Sequence, residues 1–167
     1  MLRAARAEPP DAGIGTFAAL SPMADLCGEN RYAMTLACTV PRLVTVVIDV
    51  HGVDRAGVAT GHVAYASKQV PLVPRRALRV DVSFHWRGEA TFEFDGIRAP
   101  ADELWIGPPL AVPYFAVTAE LRELDGRCVE RALIFQGVGG DPRGTERPVE
   151  ATRERTATSS GSGGTTA

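Results

Sequence analysis

Leu78-Arg-Val-Asp-Val-Ser-Phe-His-Trp-Arg87, followed by Gly88-Glu-Ala-Thr-Phe-Glu-Phe94, decides the fold. Leu78, Val80, Val82, Phe84 and Trp86 alternate with Arg79, Asp81, Ser83, His85 and Arg87. A period of two marks a strand with one apolar and one polar face. Ala90, Phe92 and Phe94 continue the pattern after a turn at Gly88-Glu89. Matching the two apolar faces across that turn predicts Trp86 opposite Phe92 and Phe84 opposite Phe94. The same register sets His85 opposite Glu93.

The alternation extends in both directions. Tyr32, Met34, Leu36, Cys38 and Val40 form an apolar stripe that ends at Pro41. Residues 43–50 (Leu-Val-Thr-Val-Val-Ile-Asp-Val) are apolar enough for a central strand, and 58–67 read as another. Pro71 and Pro74 predict an extended but poorly paired stretch. Downstream, Asp125-Gly126 is a strong turn signal between strands over 114–124 and 127–136. In that hairpin Glu120 faces Arg131 and Val117 faces Ile134. No segment has the period of an amphipathic helix. The expected fold is all-β and antiparallel, a jelly roll or distorted β-barrel.

Composition sets the outer bounds. The chain has 167 residues, 45% of them hydrophobic and 23% charged, enough for one domain with its own core. The domain is expected over residues 1–140. Residues 143–167 contain no Leu, Ile, Phe, Trp, Tyr or Met, so 141–167 are expected to be a disordered tail. The formal net charge is -2, which argues against a nucleic-acid-binding protein. No apolar run approaches a membrane span, and the first ten residues lack the apolar region of a signal peptide. Cys27, Cys38 and Cys128 are odd in number and lack metal-ligand spacing, which suits thiols in a reducing compartment. A cytoplasmic or nuclear protein is expected, not a secreted one.

Generic catalytic motifs are absent: no phosphate-binding Gly-rich loop, no His-Glu-x-x-His, no nucleophile elbow. His51, His62 and His85 are scattered, and each reads as an ordinary histidine rather than a ligand. No metal ligands are assigned. His85 with Glu93 is a candidate base pair, although such pairs are common on solvated strand faces.

A set of ordered segments resembles the dUTPase family. Gly61-His62-Val63-Ala64-Tyr65-Ala66-Ser67 is similar to that family's Gly-x-Val-Ala-Pro-Arg-Ser. At the family's spacing downstream, Trp86-Arg87-Gly88-Glu89 is similar to Tyr-Arg-Gly-Glu. Ser21-Pro22-Met23-Ala24-Asp25-Leu26 resembles a shortened first motif, and Thr39-Val40-Pro41 a Val-Pro step. Asp125-Gly126-Arg127-Cys128-Val129-Glu130 resembles Gly-Asp-Arg-Ile-Ala-Gln, and residues 160–166 the Gly-rich fifth motif. The resemblance implies a jelly roll and a homotrimer with shared sites. It also implies attack of water on the α-phosphate of dUTP, assisted by Mg²⁺ that holds the triphosphate. It assigns Asp25 and Asp81 as candidate catalytic carboxylates. Ser67, Ser83, Trp86, Arg87, Gly163 and Gly164 become candidate nucleotide-binding residues.

The same resemblance implies decay. The family's water-activating Asp falls on Ser83, and a hydroxyl is too weak a base to replace a carboxylate. Asp81 is two residues away on the same strand face. The motif-two Pro-Arg has become Tyr65-Ala66, the fourth-motif Gln falls on Glu130, and the fifth-motif Arg and Phe fall on Ser160 and Thr165. The leading expectation is a dUTPase-like protein with little or no hydrolysis, binding a nucleotide or a protein. Such relatives occur in large DNA viruses. The alternatives are a diverged, active Mg²⁺-dependent dUTP diphosphatase, and an unrelated β-sandwich acting as a structural or adaptor protein.

Overall fold

The computed structural model describes residues 11–26, 28–85, 88–108 and 110–138, together with the backbone of 152–154. Trp86, Arg87, Gly163 and Gly164 lie outside these residues, as does Cys27. The strands are β1 (Ala12–Ala19), β2 (Met23–Ala24), β3 (Glu29–Cys38), β4 (Arg42–Val53), β5 (Ala59–Leu72) and β6 (Leu78–His85). They continue with β7 (Glu89–Phe94), β8 (Ile97–Pro100), β9 (Glu103–Ile106), β10 (Tyr114–Arg122), β11 (Cys128–Val138) and β12 (Thr152–Glu154). No helix occurs among the described residues, so none is long and apolar enough to cross a membrane.

The strands form two sheets. One has the order β1-β3-β6-β7-β8, the other β12-β11-β10-β4-β5-β9, with β2 added in parallel to β11. All other pairings are antiparallel. The inner faces share one apolar core, which contains Leu78, Val80, Val82 and Phe84 of β6 together with Ile48, Val117 and Ile134 of the larger sheet. The expected alternation in β6 is therefore the buried face. Two seams bring the sheets toward a distorted barrel. At one, Ile14 N–H of β1 donates to Glu130 Oε2 of β11 at 2.7 Å. At the other, the link from β8 to β9 donates Ala101 N–H to Ala90 C=O and Asp102 N–H to Ser67 C=O. Asp102 fastens this corner by accepting from Lys68 Nζ and Gln69 N–H, which hold its carboxyl below the ordinary range.

Several expectations need correction. The β6–β7 turn lies two residues earlier than matched aromatics predict, with Phe84 opposite Ala90 and Val82 opposite Phe92. His85 consequently faces Glu89, not Glu93. The reason is the turn itself: Gly88 at φ 110 donates its N–H to His85 C=O and closes a three-residue loop. Face matching fixes only the parity of a register, and both registers have the same parity. β5 also continues through Pro71 to Leu72. β9 covers β5 only at Ala64, Tyr65, Ala66 and Ser67, so Pro71 sits on an open edge where its missing N–H costs no ladder bond. The expected tail lies outside the described residues, apart from Thr152–Glu154, whose backbone pairs with Arg131, Ala132 and Leu133.

The β10–β11 hairpin pairs Glu120 with Arg131 and Val117 with Ile134, as the Asp-Gly signal predicts. Its end is a three-residue loop rather than a two-residue one. Gly126, at φ 90, donates to Glu123 C=O, and Glu123 N–H donates to Arg127 C=O.

Candidate functional site

The described positions that the dUTPase resemblance singles out lie on different elements, with only Asp81 and Ser83 sharing a strand face. Asp81 and Ser83 lie on the outer face of β6, in the five-stranded sheet. Asp81 is a quarter exposed and accepts from Arg79 Nε and Nη2 at 3.1–3.3 Å. That contact holds the Arg79 guanidinium above the ordinary arginine range. Ser83 stands in register between Arg31 and Thr91. Ser67 lies in the other sheet, 3% exposed, with Val47 and Glu103 as its ladder neighbours. Asp25 is exposed after β2, and its backbone is clamped by the buried Asn30 amide. Its neighbour Leu26 lines an open cleft of about 380 Å³ together with Arg55, Leu110, Val112 and Val138. Glu130 is buried at the β1–β11 seam, where it accepts from Ile14 N–H. It therefore serves the fold rather than a triphosphate.

A different group of side chains does converge, on the outer face of the seven-stranded sheet. Asp49 and His51 are two residues apart in β4 and so share a face. By simple alternation His62 of β5 would point inward with Ala64 and Ala66. It does not, because a bulge places Val63 as an extra residue: Val50 pairs with Ala64, and His51 pairs directly with His62. One extra residue flips the phase of the strand. His62 therefore emerges beside Asp49 and His51.

The three groups are in contact. His62 Nε2 bonds Asp49 Oδ1, and His51 Nδ1 lies 3.7 Å from the same oxygen. One ligand atom from each residue falls within 4.8 Å of the others. The His51 and His62 rings stack at 4.8 Å, and His62 stacks on Trp105 of β9 at 4.8 Å. Trp105 is 44% exposed. Phe135, also exposed, lies on the same face through the ladder Phe135–Ala116–His51–His62.

The adjoining part of that face is charged but paired. Glu120, 5% exposed, accepts from Arg122 Nε at 2.7 Å and from Arg131 Nε and Nη2 at 3.0 and 2.7 Å. Burial works against the Arg122 charge. The hydrogen bond and charge of Glu120 outweigh it, and hold the guanidinium above the ordinary arginine range. Two cations on one carboxylate satisfy a buried charge that would otherwise be costly.

His51 and His62 were visible in the sequence as residues, but their convergence was not. The signal needed is the bulge, and nothing in Gly61-His62-Val63-Ala64 announces it. His85, by contrast, forms a separate, looser pair with Glu29 at 3.8 Å. No family model matches the chain, and no curated protein matches it significantly.

Proposed function

We propose that the chain is a dUTPase-like β-domain that lacks dUTP hydrolysis and works as a protein-binding module. The observation that carries this reading is at Ser83. The position where the resemblance requires a water-activating carboxylate is a serine on an open strand face. The nearest carboxylate on that strand, Asp81, is engaged by Arg79. A missing general base costs about 10²–10⁴ in rate before any other loss is counted.

The other sheet supports the binding half of the reading. Its outer face carries Trp105, Phe135, Tyr65, His51 and His62 with Arg122 and Arg131. Exposed aromatics among arginines are the composition of protein contact surfaces. Cys38 and Cys128 are present as thiols, in keeping with a cytoplasmic or nuclear setting. The family resemblance adds a homotrimer to the expectation, and ties Mg²⁺ to the nucleotide alone.

Calorimetry with a non-hydrolysable dUTP analogue and Mg²⁺, against UTP as control, tests the reading. The expected result is no selective heat. Saturable binding of the dUTP analogue over UTP would turn the module into a nucleotide binder, and would make the diphosphatase alternative the next question.

A further inference from the structure

We propose that Asp49, His51 and His62 form a binding site for one divalent transition-metal ion. The donor set is one carboxylate oxygen and one imidazole nitrogen from each histidine, and the nitrogens that face Asp49 Oδ1 are His51 Nδ1 and His62 Nε2. Imidazole with carboxylate suits Zn²⁺, Ni²⁺, Cu²⁺ or Co²⁺, whereas Mg²⁺ prefers oxygen alone. The site is thus chemically distinct from the Mg²⁺ expected with a nucleotide.

The geometry is close to what an ion needs. Ligands about 2.1 Å from a tetrahedral ion lie roughly 3.4 Å from one another. His51 Nδ1 is 3.7 Å from Asp49 Oδ1, and one ligand atom from each residue lies within 4.8 Å of the others. Ligation requires the His62–Asp49 contact to open and the stacked rings to tilt so that both nitrogen lone pairs converge. The side chains have room to do so: His51 is 39%, His62 41% and Asp49 22% exposed. Three protein ligands leave at least one coordination position for water or an incoming group.

Two features argue that the cluster is more than a surface ion pair. The Val63 bulge is what brings His62 to this face, and bulges that re-aim a side chain recur beside functional sites. His62 stacks on both His51 and Trp105, which narrows its side-chain freedom and lowers the entropy lost on ligation. Without a metal His62 Nε2 and Asp49 Oδ1 share a hydrogen bond, which an ion would have to replace.

The test is titration of the full, tag-free chain with Zn²⁺ by calorimetry and with Co²⁺ by visible absorption. The expected result is one ion per chain and a Co²⁺ spectrum without a thiolate charge-transfer band. His51→Ala and His62→Phe should each weaken binding by at least about tenfold, comparable to or beyond the loss of an outer-shell partner. His62→Phe keeps a ring on Trp105 while removing the ligand. His85→Ala, at the separate pair with Glu29, should leave binding unchanged. Asp49→Asn replaces any variant whose circular dichroism shows loss of strand structure. The proposal is overturned if the wild-type chain takes up no ion, if both histidine variants bind as tightly as wild type, or if the Co²⁺ spectrum reports cysteine.

Discussion

The Tyr32 hydroxyl donates to Gln136 Oε1 at 2.8 Å, linking the two sheets through their shared core. Both side chains are buried, Tyr32 to 1% and Gln136 to 0% exposure. Burial pushes the phenol pKa well above its ordinary value of 10.0. The unfolded chain releases this proton near pH 10 and the folded chain does not, so Tyr32 contributes fully below pH 10 and its contribution is lost as pH rises. The slope is about 1.4 kcal/mol per pH unit above that point. Tyr32→Phe should remove this component from urea-unfolding curves measured between pH 9 and 11. At neutral pH it should cost about 1–3 kcal/mol, because Gln136 Oε1 loses its donor. An unchanged alkaline slope in the variant would contradict the assignment.

Among the elements, the β10–β11 hairpin shows how a turn residue sets register. Gly126 has φ 90, and nothing lies within 4 Å of where a Cβ would stand. Gly126→Ala therefore isolates backbone strain from crowding. It should lower stability by about 1–2 kcal/mol, read as a lower urea midpoint with an unchanged slope. A wild-type midpoint would mean that the loop relaxes freely. This hairpin was legible because Asp125-Gly126 marks the turn and apolar alternation marks the faces. β6 was legible for the second reason alone, so its faces were right while its turn was misplaced by two residues. β1 and the His62 segment were opaque for a common cause. Both contain bulges, between Ile14 and Thr16 in β1 and at Val63 in β5, where the period of two breaks. Inward Ile14 is followed by inward Phe17, and His62 turns outward against its parity with Ala64. The convergence of Asp49, His51 and His62 was thus hidden by a one-residue irregularity that has no composition of its own.

At the scale of the molecule, the two outer faces have separate characters. The five-stranded sheet displays Arg79, Asp81, Ser83 and His85, with its carboxylate tied to arginine. The seven-stranded sheet displays the stacked His51, His62 and Trp105 beside the Glu120–arginine network. The barrel seams at Glu130 and at Asp102 keep these faces on opposite sides of one core. Under the proposed function hydrolysis is absent, and the contact surface lies on the seven-stranded sheet. The most direct test is the rate of diphosphate release from dUTP with Mg²⁺, measured on the full chain. Loss of hydrolysis predicts a rate equal to that of a protein-free control. Mg²⁺-dependent release that disappears in Asp81→Asn would contradict it, and would make Asp81 the base of a working diphosphatase.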